Sequence, residues 1–338
     1  MMNRISRRSF GKLLTGTGAT LLTGSSLLSL AGCSSKSSRS SSGGRKIVIG
    51  YWGGTTCDAT MLAAYEFGLF DKQGLDCELA LIDYNSYPAK TSKGTLDTVT
   101  LSPDCFKQLE QGVPLALVNG SHTGCCSFVV PKGSNITSVK DLKGKRIGVE
   151  AIGGASQMLM SVKLGLNGLD FKNDVTWKVY AYNALEPALI KGEVDCFGYW
   201  DPICRQAIDN GNADLLFRMS SEETFMQYAC CYQGIATKVI ENEPDIARSL
   251  YKGFIGGVQL CRENPKEVAE VLVNKGYVGE SVEFTTRCLE DYIFWDNPVD
   301  AERSYKWYLG IMKDVNILDD ATNIEELFKR SFIRVDQI

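Results

Sequence analysis

The chain carries a single histidine, and it stands in Ser121-His122-Thr123-Gly124-Cys125-Cys126, beside two adjacent cysteines. A second adjacent pair comes much later, in Tyr228-Ala229-Cys230-Cys231-Tyr232. Each passage runs on into an apolar stretch, Phe128-Val129-Val130 in one and Gly234-Ile235-Ala236 in the other. Imidazole and thiolate suit zinc, iron or copper, so His122, Cys125, Cys126, Cys230 and Cys231 are candidate metal ligands should the two passages meet. The same cysteines read also as a disulfide between the passages or as buried apolar thiols, and all three readings stay open. No residue pattern demands a cofactor, so the expectation is a protein without one, with iron or another metal as the alternative.

The two passages resemble one another enough to suggest two crossings between two lobes. Lys46 to Tyr51 is a short β-branched run ending in Gly50-Tyr51, the pattern of a buried parallel strand. A glycine-rich turn follows, then a helix from about Asp58 to Phe67, a strand from Leu75 to Ile82, a strand from Thr98 to Leu101, a helix from Pro103 to Gln111 and a strand from Leu115 to Val118. This βα alternation predicts an α/β fold built on doubly wound parallel sheet. In such sheets the ligand lies beyond the carboxyl ends of the strands. That rule selects Trp52, Gly53 and Thr55, then Tyr84, then Ser102 and Asp104, then His122, Gly154 and Ser156, and finally Trp200 and Asp201. Tyr228 joins Trp52, Tyr84 and Trp200 as a ring that would close on a flat solute. Gly153-Gly154-Ala155-Ser156 opens a helix, whose free N–H groups would hold an anionic or strongly polar group unless it is an ordinary cap. Asp201, if it faces the cleft, favours an amine or amidine over an anion.

At 338 residues, with 44% apolar and 22% charged residues, the chain fits two globular lobes. A net charge of -4 without a basic stripe excludes nucleic acid as a partner. Residues 1–33 read as an export signal, with Arg4, Arg7, Arg8 and Lys12 before an apolar stretch. Ser6-Arg7-Arg8-Ser9-Phe10 resembles a twin-arginine signal, and Leu30-Ala31-Gly32-Cys33 resembles a lipoprotein box whose Cys33 is lipidated. Residues 34–44 are a Ser/Gly tether. The chain has 12 cysteines, so setting Cys33 aside leaves an odd number and at least one thiol free within a monomer.

Four segments carry a family resemblance. Ala63-Ala64-Tyr65-Glu66-Phe67-Gly68-Leu69-Phe70, followed by Gly74-Leu75, resembles the opening of the nitrate/sulfonate/taurine and thiamine-pyrimidine group of solute-binding proteins. Asp141-Leu142-Lys143-Gly144-Lys145-Arg146-Ile147-Gly148-Val149, Gly192 to Pro202 and Ile240 to Asp245 are similar to its later segments, in the same order. The resemblance implies a two-lobed periplasmic-binding-protein fold of type II, with lobe one over 45–128 plus 236–338, lobe two over 129–235 and a mostly helical C-terminal part. It implies a monomeric, non-enzymatic lipoprotein outside the cell membrane, facing the periplasm or outer surface and anchored only through Cys33. Such a protein passes a small polar or heteroaromatic solute to an ABC permease and its ATPase. Thiamine-pyrimidine synthases of the same fold have an iron-associated cysteine-rich run in a position like that of Cys230-Cys231. Two alternatives follow, an iron enzyme of that kind or a metal or redox carrier using the cysteine-rich crossings.

Overall fold

A computed structural model describes residues 45–338. The expected signal over 1–33, the lipidated Cys33 and the tether over 34–44 lie outside the described residues. The strands are β1 (Ile47–Tyr51), β2 (Cys77–Leu81), β3 (Thr98–Leu101), β4 (Leu115–Gly120), β5 (His122–Thr123), β6 (Cys126–Pro131), β7 (Arg146–Val149), β8 (Thr176–Val179), β9 (Cys196–Trp200), β10 (Ala213–Arg218), β11 (Tyr232–Ala236) and β12 (Ile293–Phe294). They form two five-stranded sheets, ordered β2-β1-β3-β11-β4 and β10-β6-β9-β7-β8, and a small ribbon of β5 with β12. The fold is α/β, as expected.

Both sheets are mixed, where the βα alternation predicts parallel strands. β1 runs parallel to β2 and β3, but β11 is antiparallel to both β3 and β4. β6 is likewise antiparallel to β9 and β10. The cause is connectivity. A parallel neighbour needs a long helical crossover, whereas β6 and β11 are the strands that arrive directly from the opposite sheet.

Those two arrivals define the crossings, and they differ from the expected lobe boundaries. β6 already pairs with Trp200 at Cys126, so residues 126–128 belong to the second sheet. β11 inserts between β3 and β4 from Tyr232, so residues 232–235 belong to the first. The chain therefore changes sheet near 121–125 and near 229–231. The two stretches lie side by side, with the Cys230 and Cys231 N–H groups donating to the His122 carbonyl at 3.1 and 3.0 Å and Ser121 N–H donating to the Cys231 carbonyl at 2.8 Å.

The C-terminal part is helical, over Pro244–Glu263, Pro265–Asn274, Val282–Glu290, Pro298–Asp314 and Ile324–Ser331. Three of these open on proline, whose fixed φ and missing N–H suit a first helical position. Gly257 lets Pro244–Glu263 lie directly on the helix Ala59–Glu66, because a Cβ there would come within 2.1 Å of the Thr60 carbonyl oxygen. The helix that opens at Val282 ends at Glu290. Beyond it the chain turns extended, and β12 pairs with His122 and Thr123 instead of continuing the helix. One apolar core runs beneath the first sheet, the crossings and the C-terminal helices and continues between the second sheet and the helix Ala155–Leu166, and a smaller one lies between the second sheet and the helices Leu185–Ile190 and Ile203–Asp209. Among the described residues no helix is long and apolar enough to cross a membrane.

Candidate functional site

A cavity of about 310 Å³ opens where the carboxyl ends of β1, β2, β3, β7 and β9 face one another. Trp52, Gly53, Thr55, Tyr84, Ser102, Asp104, Gly154 and Trp200, all selected from the sequence, line it. Trp52 is fixed at both ends. Its N–H donates to Asp58 at 2.6 Å, its indole donates to the Thr100 carbonyl at 2.8 Å, and Tyr87 meets its face edge-on. Asp58 is fully buried, and burial pushes its carboxyl up to about 7 against the Trp52 N–H. Tyr84 spans the cavity, donating from its hydroxyl to the Gly153 carbonyl at 3.2 Å.

The acids define the electrostatics. Burial pushes the Asp104 carboxyl up to about 7, with a hydrogen bond from Ser102 at 2.5 Å opposing the shift and the Glu150 charge reinforcing it. Glu150 is also raised by burial, despite the hydrogen bond it accepts from Ser156. Asp83, at the exposed rim, is held low by Ser86. Among the described residues around the cavity there is no lysine, arginine or histidine.

Glu150 overturns the expectation of an anion held by the helix Ala155–Leu166. Its carboxylate accepts from the Ser156 N–H at 3.2 Å and from the Ser156 hydroxyl, while the Gln157 side chain accepts from the Gly153 N–H at 2.5 Å. The chain's own acceptors thus take the positions an anion would use. Gly154 makes this possible, since a Cβ there would sit 2.5 Å from the Glu150 Oε1. Ser156 is therefore buried behind Glu150 and does not line the cavity.

Three further expected ligand residues lie elsewhere. Asp201 is fully buried and faces Arg205 at 2.9 Å and the Tyr292 hydroxyl at 3.1 Å, so it cannot set the charge of a solute. Tyr228 stacks on Trp307 with ring centres 4.2 Å apart, under Arg303. His122 is sealed below the cavity, stacked on Tyr292, with Nε2 facing the Cys57 carbonyl oxygen at 3.0 Å. Cys125, Cys230 and Cys231 surround it, but Cys126 stands one residue further along and is absent from the cluster.

The cavity also has walls that the selected residues do not include: Glu150, Tyr182, Tyr199, Asp83, Cys57 and Cys231. Tyr182 and Tyr199 stack in near-parallel fashion, 6.0 Å apart. Glu150 and Tyr199 were within reach of the same rule, since one follows β7 and the other lies at the carboxyl end of β9.

Residues 56–268 match the family described as NMT1/THI5 like. The chain belongs to this family. A putative thiamine biosynthesis protein of Haemophilus influenzae is 30% identical over 143 residues, a match spanning 40% of this chain and 44% of the relative. Solved structures show the fold of this NMT1/THI5 like chain in periplasmic binding proteins. The alkanesulfonate-binding protein SsuA of Xanthomonas axonopodis pv. citri, bound to MOPS, aligns with a TM-score of 0.68 at 16% identity, over 83% of this chain and 97% of its own. The aliphatic sulphonate binding protein SsuA of Escherichia coli gives 0.69 at 18% identity, over 84% and 91%. The nitrate-binding protein NrtA of Synechocystis PCC 6803 gives 0.68 at 14% identity, over 86% of each chain.

Proposed function

We propose that this protein is the solute-binding component of an ABC importer and that its cleft takes a flat, neutral or positively charged heteroaromatic solute, an aminopyrimidine of the thiamine type. The observation that carries this reading is the cavity's charge pattern. Asp83, Asp104 and Glu150 meet the aromatic rings of Trp52, Tyr84, Tyr182, Tyr199 and Trp200 with no basic side chain among them. A sulfonate or nitrate would meet Glu150 where a helix N-terminus would otherwise receive it. An exocyclic amine and a protonated ring nitrogen are the complementary donors, and the ring stacks on the aromatic walls. The name of the Haemophilus relative agrees with this chemistry.

In this reading the protein is exported through the signal containing Arg7 and Arg8 and held outside the membrane by lipidated Cys33. The sheets close on the solute, and the permease with its ATPase takes it from the closed form. Cys33→Ala protein is expected in the soluble fraction, and its retention in washed membranes would contradict the anchor.

The solute assignment is tested by thermal unfolding with aminopyrimidines, alkanesulfonates and nitrate. A solute present at a hundred times its Kd adds about 2.7 kcal/mol of stability. Stabilisation by an alkanesulfonate or nitrate alone overturns the assignment. Recovery of the solute unaltered after denaturing the complex supports binding, whereas a modified solute supports an enzyme.

A further inference from the structure

Below the cavity floor the two crossings bring together His122, Cys125, Cys230 and Cys231, all buried, with one nitrogen and three sulfur atoms within 4.8 Å of one another. The Cys125 sulfur lies 3.5 Å from that of Cys231 and 3.8 Å from that of Cys230, and the Cys230 and Cys231 sulfurs are also 3.8 Å apart. No pair is bonded. A tetrahedral zinc ion with bonds of about 2.3 Å to sulfur has its sulfurs about 3.8 Å apart, so the three thiols already occupy one face of such a tetrahedron.

The histidine supplies a second, independent observation. Its Nε2 lies 3.0 Å from the Cys57 carbonyl oxygen, an acceptor, so the proton belongs on Nε2 and Nδ1 keeps its lone pair. Nδ1 is buried and has no hydrogen-bond partner. A metal-binding imidazole characteristically donates its other N–H to a carbonyl in this way, which fixes both the tautomer and the ring. Stacking on Tyr292 at 4.8 Å and edge contact with Phe294 hold the same ring.

We infer that His122 Nδ1 and the sulfurs of Cys125, Cys230 and Cys231 form a closed, tetrahedral site for a soft divalent cation, of which zinc is the type, pinning the two crossings together. Binding replaces the protons of the three thiols, which leave to solvent, and draws the donors in by about 1 Å at the widest separation. All four positions are filled by the chain, so the ion is structural and has no open position for a reacting molecule. The site makes no use of the solute and stands or falls separately from the proposed solute class.

The test uses the full chain purified without chelator. Metal analysis is expected to find about one equivalent of zinc per chain. Replacing it with cobalt(II) is expected to give the ligand-field and thiolate charge-transfer bands of a tetrahedral site with three sulfurs and one nitrogen. His122→Asn and Cys230→Ser should each abolish the stoichiometric metal, and Cys126→Ser, a buried thiol outside the cluster, should retain it. Should the cluster variants fail to fold, strong chelator added to the wild-type protein reports instead, by releasing zinc and lowering Tm. Metal-free wild-type protein with no cobalt spectrum overturns the proposal. So does a mass lighter by two hydrogens from a Cys125–Cys231 disulfide, or metal kept by both cluster variants.

Discussion

The cleft and the cysteine cluster share a wall, since Cys57 and Cys231 both line the cavity while Cys231 also belongs to the cluster beneath it. The materials on the two sides differ. Above the wall are partly exposed rings, the buried Asp104 and the more open Asp83 and Glu150, at the ends of strands and on loops that leave solvent a way in. Below it are one imidazole and three thiols, buried between the crossings, Tyr292 and Phe294. A binding protein has to release its solute, so its polar groups must be reachable by water. A structural centre must keep its ion, so its donors are withdrawn from water. The separation also explains why a lone histidine next to two cysteines is no guide to the solute: those residues belong to the lower compartment.

The largest expected effect comes from the acid at the heart of the upper compartment. Asp104→Asn removes a buried carboxylate facing the proposed cation and should weaken aminopyrimidine binding by about 2–5 kcal/mol, measured by calorimetry. Unchanged affinity would break the assignment of charge recognition to the cleft. Trp52→Ala should cost about 1–3 kcal/mol of binding, because its indole is held by the Thr100 carbonyl and its backbone N–H by Asp58, so the ring gives its full stacking area. An equal loss from Cys126→Ser, a buried thiol that neither lines the cavity nor belongs to the cluster, would mean that both losses report misfolding.

The pH dependence separates binding from stability by sign. Asp58 and Asp104 have folded-state values of about 7 against 3.8 for the free side chain. The folded protein therefore holds more protons than the unfolded chain between those limits, so their contribution to stability is largest at low pH and is lost as pH rises toward 7. Binding of a fixed cation, such as an N-methylpyrimidinium, needs the Asp104 carboxylate and should run the other way. Affinity is expected to rise by up to about 1.4 kcal/mol per pH unit below 7 and to level off above it. Calorimetry from pH 5 to 8 with that probe shows the trend, and affinity that falls with rising pH contradicts it.

Much of the fold was legible because its signals are local. β1 reads as Ile47-Val48-Ile49-Gly50 in sequence, and the rule of carboxyl ends leads straight to Trp52, Tyr84, Ser102 and Trp200. What escaped depends on distant partners. Asp201 follows a strand just as Asp104 does, but Arg205, one helical turn on, and Tyr292, far away in sequence, turn it inward. Glu150 stood beside two glycines that read as an open anion site, and no local pattern says that a carboxylate folds back to fill it. The antiparallel β6 and β11 are likewise consequences of which sheet the chain has just left.

Tyr228 gives the smallest effect and the sharpest contrast with the sequence. The sequence groups it with Trp52, Tyr84 and Trp200 as a ring that closes on the solute, yet its ring lies 4.2 Å from that of Trp307 at an interplanar angle of 8°. Arg303 covers the same ring at 5.2 Å and donates from its guanidinium to the Gln227 carbonyl oxygen at 2.9 Å. Tyr228 therefore fastens the approach to the second crossing onto the helix Pro298–Asp314 and contributes no surface to the cavity. Tyr228→Ala should change aminopyrimidine affinity by less than about 0.5 kcal/mol, while the lost stacking lowers stability by roughly 0.5–1.5 kcal/mol beyond the area it buries. Parallel denaturation and calorimetry on one preparation measure both. A large loss of affinity with unchanged stability would place this ring against the solute and require the second crossing to move when the cleft closes.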